Sequence, residues 1–334
     1  MVFFYGVMKM TKDSVLSILL TAGECVSGES MSRELGISRA AVNAAVQTLR
    51  QEGYVISSST RTGYTLASSP DKLRDGEMAA RLGGRAEKVV CLDSVGSTND
   101  YLKLLAKDGA PEGTVVAANT QTAGRGRMGR SFLSPENEGV YLSILLRPDC
   151  APESVPQLTA WVAVAMRRAL ESSCGVSPGI KWVNDLVLGG RKLGGILTEM
   201  AAEGESGHIE YIVAGIGINV GQTAFPEELS AMATSLYLET GKHFSRCALA
   251  CAMIRELDAL TAAFPLEKAA YLEDYRAACV TLGREVTFPA GGQTRSARAE
   301  GIDEDFGLSV RFADGHAETL RSGEVSVRGL YGYV

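Results

Sequence analysis

Hydrophobic positions along the chain fall into three regimes. Val15, Leu16, Ile18, Leu19 and Leu20 form a dense apolar run that predicts a first helix ending near Gly23. Ser30 stands where it would cap a short helix through Leu35, with Arg33-Glu34 in the place a capping box sets its acid. Gly36-Ile37-Ser38 reads as a turn. Behind Ser38, Val42, Val46 and Leu49 recur at i, i+4 and i+7, the stripe of a packed third helix. Tyr54-Val55-Ile56 and Tyr64-Thr65-Leu66 follow as two strands, joined through a segment that carries Arg61. The pattern over residues 1–66 is a helix–turn–helix with a two-stranded wing.

A polar stretch from Pro70-Asp71 through Gly76 predicts a linker. From about residue 75 to 272 strands and helices mix. Val89–Leu92, Val115–Ala118, Gly139–Arg147 and Tyr211–Asn219 read as strands, and the third is apolar enough to be buried on both faces. A helix is expected from Asn99 or Asp100 through Ala106, with Ser97 and Thr98 at its start. Leu158, Trp161, Val162, Ala165, Met166 and Ala169 define a long core-facing helix. Gly189-Gly190 between two short apolar runs is a two-residue hairpin signal. The chain from Gly221 to Leu236 reads as loop, and helices from Ser245 to Phe264 and Glu267 to Ala278 close the region. Residues 279–334 carry short alternating strands punctuated by glycine, the pattern of a small β-barrel.

Composition narrows the classes. Thirty-three basic against thirty-nine acidic residues give a net charge of −6, so bulk attraction to nucleic acid is absent. Between Ser38 and Leu66 only Arg39, Arg50 and Arg61 stand against Glu52. A DNA-facing third helix would therefore make few phosphate contacts, with Asn43 and Gln47 as base-edge candidates. A protein-interaction module without a DNA partner is the competing reading. Seven cysteines without a C-x-x-C argue against a disulfide framework, and His208, His243 and His316 form no metal or triad pattern. The apolar run Met1 to Met8 is too short for a membrane span and lacks a cleavage pattern. A cytoplasmic protein without a membrane partner is expected.

The candidate chemistry lies in the glycine–arginine stretch Gln121-Thr122-Ala123-Gly124-Arg125-Gly126-Arg127-Met128-Gly129-Arg130. Glycines free the backbone for positive φ or close approach, and arginines offer planar forks for carboxylate and phosphate. The segment is neither a Walker loop nor a dinucleotide fingerprint; a merely flexible Arg/Gly loop has the same composition. Lys181-Trp182-Val183-Asn184-Asp185, running through Gly189-Gly190-Arg191-Lys192-Leu193-Gly194-Gly195, adds two lysines and an acid. Lys192 taken alone could be a solvated strand charge. Gly215-Ile216-Gly217-Ile218-Asn219 couples a buried strand to glycines that admit a flat ring. Ser97-Thr98-Asn99 opens a helix where hydroxyls and free N–H groups serve as an N-cap or as a polar ligand site.

In this order and over nearly the whole chain, these four motifs resemble those of the biotin protein ligases. The N-terminal region resembles that of bifunctional members that also repress biotin operons. The resemblance implies an α+β multidomain protein. It would have a winged helix-turn-helix at 1–66, a mixed α/β ligase domain of the class II synthetase-like type at 75–272, and an SH3-like β-barrel at 279–334. It implies ATP and biotin as substrates, with Mg²⁺ carried by the ATP and no metal held by the protein. Biotinyl-5′-AMP would form first and then acylate a lysine of the biotin carboxyl carrier protein. The further implied partners are operator DNA and a second copy of the chain, with a homodimer forming on ligand binding.

Carried onto this sequence, the resemblance makes Lys192, Arg127 and Asp185 catalytic. Biotin falls to Ser97, Thr98, Asn99, Gln121, Arg125, Gly126, Arg127, Lys192, Gly194 and Gly195. ATP falls to Arg125, Arg127, Arg130, Lys181, Asn184 and Asn219, and DNA to Ser38, Arg39, Asn43, Gln47 and Arg61. The chemistry agrees, since joining a carboxylate to a polyphosphate needs fixed cations more than a nucleophilic side chain. The glycine–arginine loop and parts of 221–233, short of large apolar side chains, are expected to order over the ligand. Val183 stands where the family commonly has proline, Phe132 where it often has tryptophan, and Met128 where a base is frequent. A lipoate-type acyl-adenylate ligase, or a ligand-sensing repressor without catalysis, would share much of this pattern.

Overall fold

A computed structural model describes residues 2–59, 63–202, 208–321, 323, 325–327 and 329–330. The chain divides into two compact units, Met1–Leu92 and Asp93–Val334. Among the described residues no helix is long and apolar enough to cross a membrane.

The first unit contains α1 (Val2–Ala22), α2 (Gly28–Leu35), α3 (Arg39–Gln51), the antiparallel hairpin β1 (Val55–Ser59) and β2 (Gly63–Ser68), and α4 (Asp75–Leu82). Its core joins Val15, Leu16 and Leu19 of α1, Met31 of α2 and the expected stripe Val42, Val46 and Leu49 of α3. Ser38 caps α3, its hydroxyl accepting the Ala41 amide. The cap of α2 is Ser27, not Ser30: Ser27 Oγ accepts the Ser30 amide at 3.0 Å. The helix therefore starts one turn earlier than expected, with Glu29, not Glu34, as the acid in its first turn. Losing such a cap costs about 1 kcal/mol. Ser27→Ala is expected to lower the unit's denaturant midpoint while Ser30→Ala, on an exposed side chain, leaves it unchanged; equal shifts would contradict the assignment.

The polar stretch expected to be linker ends in a helix, α4. Packing explains this: Met78 is fully buried, and a methyl at Gly76 would come within 3.0 Å of Leu16. Glu52 further ties Lys12, at 2.7 Å, and Arg74 into one ion-pair group.

The second unit is built on a seven-stranded sheet in the order β3-β4-β5-β9-β8-β7-β6, with the unit's part of β3 at one edge. Its elements are the end of β3 (Val89–Val95), from Asp93 on, then α5 (Thr98–Lys107), β4 (Val115–Gln121), β5 (Gly139–Leu146), α6 (Val155–Cys174), β6 (Gly179–Lys181), β7 (Asp185–Leu188), β8 (Arg191–Ala202) and β9 (Ile209–Asn219). Every position of β5 is buried, as its apolar run predicts. α7 (Glu227–Ser230) and α8 (Leu236–Thr240) follow, so the expected loop from 221 to 236 includes a short helix. α9 (Arg246–Ala263) and α10 (Lys268–Ala278) complete the helices.

Strand alternation sorts the two faces. On β8, Thr198 meets Thr159 of α6 at 2.8 Å, placing α6 beneath the sheet. The neighbouring Gly195 and Leu197 therefore point to the opposite face, where α5 begins. The turn between β7 and β8 is Gly189-Gly190, both at positive φ (58° and 79°), as the hairpin signal requires. The C-terminal segment forms a five-stranded antiparallel sheet, ordered β13-β12-β11-β10-β14. Its strands are β10 (Glu285–Ala290), β11 (Gln293–Ile302), β12 (Leu308–Arg311), β13 (Ala317–Leu320) and β14 (Ser326–Val327).

Candidate active site

The open face of the sheet carries a cleft that gathers Ser97, Thr98, Asn99, Gln121, Arg125, Gly126, Arg127, Arg130, Lys181, Asn184, Asp185, Lys192 and Gly195. With Gly215 and Gly217, which also line it, four separate sequence motifs converge on one place.

One end is polar and closed. Ser97 caps α5, so the N-cap reading holds for this residue, and Thr98 and Asn99 sit in the first turn, each 4% exposed. The Thr98 amide and hydroxyl both donate to Gln121 Oε1, at 2.9 and 3.1 Å. Gln121 Nε2 in turn donates to Ser134 Oγ at 2.9 Å, which fixes the carboxamide. Ser143 of β5 brings its hydroxyl to 2.7 Å from Thr98 Oγ1 and 2.6 Å from Asn99 Oδ1. Gly215 leaves the room for this. A methyl there would lie 2.1 Å from Asn99 Oδ1, and one at Gly217 would lie 2.4 Å from the Phe132 ring.

The lining also carries cations. Lys192 Nζ pairs with Asp185 Oδ1 at 2.7 Å, the acid being the more buried partner. Arg127 donates to Asn184 Oδ1 at 2.9 Å and to the Gly323 carbonyl at 2.8 Å. Asn184 is itself held by donation to the Ile196 carbonyl at 3.0 Å. Arg125 pairs with Asp100 at 2.8 Å, Lys181 is 2% exposed, and Arg130 completes the lining. Lys192 is therefore not a solvated edge charge: β8 is an interior strand, and the lysine is paired over the cleft.

The structure places some of the expected residues away from this lining. Asn219 is not in the lining: it is 4% exposed, donates to the Thr234 carbonyl at 2.9 Å and accepts from Gln222 Nε2 at 3.1 Å. Gly194 also lies outside, where its missing side chain lets the Gly217 carbonyl approach. Within the glycine–arginine loop only Gly129 and the non-glycine Met128 (φ 55°) have positive φ; Gly124 instead allows the Phe132 carbonyl to pass close. Backbone hydrogen bonds also tie that loop down. Thr122 and Ala123 donate to the Val95 and Gly96 carbonyls, and Gly126 to Arg130 O at 2.7 Å. Segment 221–236 is strapped to Lys192 itself, whose amide donates to Met232 O at 2.7 Å while its carbonyl accepts from Thr234 N at 2.9 Å.

Sequence reading left unassigned the apolar residues of the lining, Phe132, Trp182, Ile196 and Leu197. Trp182 donates its indole N–H to the Phe306 carbonyl at 2.9 Å. The alternation of β8 around Gly195 carries the signal for Leu197; the register that brings Phe306 to Trp182 has none.

On the first unit Ser38, Arg39, Asn43 and Gln47 are exposed along one side of α3. The Asn43 carboxamide lies 3.4 Å from the Tyr64 hydroxyl. Arg50 is spent on the Ile56 carbonyl, which leaves the exposed face of α3 as poor in cations as its sequence suggests. Arg61 lies outside the described residues.

Residues 91–219 match the profile of the Biotin/lipoate A/B protein ligase family, residues 11–65 an HTH domain, and residues 281–328 the Biotin protein ligase C terminal domain. The class is thus an acyl-protein ligase with an appended helix–turn–helix. Among curated relatives, the Bifunctional ligase/repressor BirA of Bacillus spizizenii is 37% identical over 317 residues, covering 92% of this chain and 95% of that one. That of Escherichia coli is 33% identical over 315 residues, covering 94% and 96%. A solved structure, biotin protein ligase from Aquifex aeolicus in complex with biotin and ATP, is 29% identical, with a TM-score of 0.61 over 72% of this chain and 98% of that one. The chain belongs to the biotin protein ligase family.

If the polar end holds a ligand through Asn99, filling the space above Gly215 is expected to disturb it. Gly215→Ala should weaken biotin binding about tenfold and lower stability by about 1–3 kcal/mol through overpacking. Titration calorimetry and thermal unfolding check the two effects; unchanged biotin affinity would separate Asn99 from recognition.

Proposed function

We propose that the chain joins biotin to AMP and passes the biotinyl group to a lysine of a biotin carboxyl carrier protein. The observation that carries this reading is the make-up of the cleft: hydrogen-bonding groups on Thr98, Asn99 and Gln121 line it together with the cations Lys192, Arg127, Arg125 and Lys181. Biotin's ureido ring fits the first, and its carboxylate is directed toward the cations.

In this reading Lys192 and Arg127 hold the carboxylate against the α-phosphate, and Arg125, Arg130 and Lys181 share the remaining nucleotide charge. A carboxylate oxygen attacks α-phosphorus and pyrophosphate leaves. The lysine amine of the carrier then attacks the acyl carbon, AMP leaves, and the amine gives up a proton. Asp185 aims Lys192 through their ion pair, and it is the carboxylate in the lining that can take that proton. Fixed cations at the point of charge build-up lower the barrier without reorganisation. Among the described residues no group of three or more His, Cys, Asp or Glu side chains is placed to hold a metal. Mg²⁺ would come with the nucleotide and would neutralise part of the phosphate charge.

The finer assignments belong to the same proposal. The functional regions are 1–66, 75–272 and 279–334. β1 and β2 act as the wing of a winged helix-turn-helix whose α3 reads operator DNA, and the C-terminal sheet is SH3-like. The protein works in the cytoplasm, and two copies join when ligand is bound. Loops 122–130 and 221–233 tighten over the adenylate, which water would otherwise hydrolyse. Incubation with ATP, biotin and a carrier domain tests the enzyme: a biotinyl mass increment on the carrier is expected, and its absence would contradict the reading.

A further inference from the structure

Asn99 is the buried amide of the polar end, and its orientation is set from outside the cleft. Its Nδ2 donates to Glu199 Oε2 at 2.7 Å and to the Leu197 carbonyl at 3.3 Å. With both amide protons engaged, the carboxamide cannot turn over, and Oδ1 stays toward Ser143 and the space above Gly215. Glu199 lies two residues beyond Leu197 on β8, so alternation puts it on the cleft face of the sheet, one step past the lining. Its second oxygen accepts from Lys103 Nζ at 2.9 Å, and Lys103 also pairs with Asp100 at 2.9 Å. Asp100 in turn holds Arg125 of the glycine–arginine loop at 2.8 Å. Burial pulls the Lys103 ammonium down, but hydrogen bonds to Glu199 and Asp100 outweigh it and hold its pKa above the ordinary lysine value.

We propose that Glu199 is a positioning residue for biotin recognition: it locks the Asn99 amide so that Oδ1 accepts a ureido N–H of the ligand. This rests on the biotin-ligase reading above. A carboxylate is required because two demands meet at residue 199. Asn99 Nδ2 and Lys103 Nζ are both donors, and each takes a different oxygen of the carboxylate, Oε2 and Oε1, so in this geometry residue 199 must present an acceptor in both directions. An amide has one oxygen. Given to the ammonium, the stronger donor, it turns an NH₂ against Asn99 Nδ2 and drives that side chain to flip.

The test compares the full-length protein with Glu199→Gln and with Glu199→Gln/Lys103→Met, reading pyrophosphate release against biotin and ATP separately. In the single variant KM for biotin is expected to rise about tenfold, the effect of one charge-assisted hydrogen bond, with KM for ATP unchanged. In the double variant the competing donor is gone, the introduced carboxamide can turn its oxygen to Asn99, and biotin KM returns toward the wild-type value. A merely structural role would not be rescued by removing a second residue. Parallel changes in both KM values, or a double variant no better than the single, overturn the proposal. If the single variant does not fold, the double variant decides alone: biotin KM near wild type supports the proposal, and a tenfold rise overturns it. A wild-type protein that releases no pyrophosphate with biotin and ATP fails the ligase reading instead.

Discussion

Lys192→Ala is expected to abolish biotin-dependent pyrophosphate release, with a loss of about 10²- to 10³-fold, the scale of removing one donor from a charge-stabilising site. The lysine lies in an interior strand, and its ammonium stands over the cleft at 2.7 Å from Asp185. Without it, the ligand carboxylate and α-phosphate meet with a cation missing and with the Asp185 charge uncompensated between them. That second effect makes the loss larger than a single hydrogen bond. Asp185→Asn, which keeps the cation and removes the anion, is expected to lower the rate less. Both are measured by coupled pyrophosphate assay beside a thermal melt. The backbone ties to Met232 and Thr234 survive truncation of the side chain, so the fold should persist. Wild-type turnover in Lys192→Ala would remove the residue from the mechanism.

Operator DNA is expected to bind on the order of 10- to 100-fold more tightly when biotin and ATP are supplied together than with either alone. The exposed side of α3 offers Asn43 and Gln47 for base edges but Arg39 as its cation, and Arg50 is turned inward on Ile56. One copy should therefore bind weakly, and two copies reading paired half-sites should bind well. Biotinyl-AMP, accumulating when acceptor is scarce, becomes the signal if it favours the dimer. By linkage, dimerisation must then tighten adenylate binding by the same factor. Fluorescence anisotropy on labelled operator decides this. Affinity indifferent to biotin plus ATP, or retained after deletion of residues 1–66, would contradict it.

What sequence could and could not reveal follows from the range of the interactions involved. Val42, Val46 and Leu49 declare their helix because the period is local, and all three are fully buried. Gly189-Gly190 declares its hairpin because the turn itself demands positive φ. The glycine–arginine loop and Ser97-Thr98-Asn99 were legible as a site through motif order, and they do meet in one cleft. α4 was not legible, since its start, Asp75-Gly76, falls in the polar stretch that reads as linker and its helix depends on packing against α1. Asn219 sits next to the glycines of β9, yet its side chain braces Thr234 and Gln222, a choice made by tertiary contacts. Glu199 escaped notice because nothing local marks it: its partners Asn99 and Lys103 lie about a hundred positions earlier in the chain.

The account turns on whether this cleft activates biotin. The direct measurement is mass spectrometry of the protein incubated with ATP and either biotin or lipoate, without acceptor. Biotin should yield protein-bound biotinyl-5′-AMP and one equivalent of pyrophosphate, and lipoate should yield neither. No adenylate with biotin, or adenylate with lipoate alone, would contradict it.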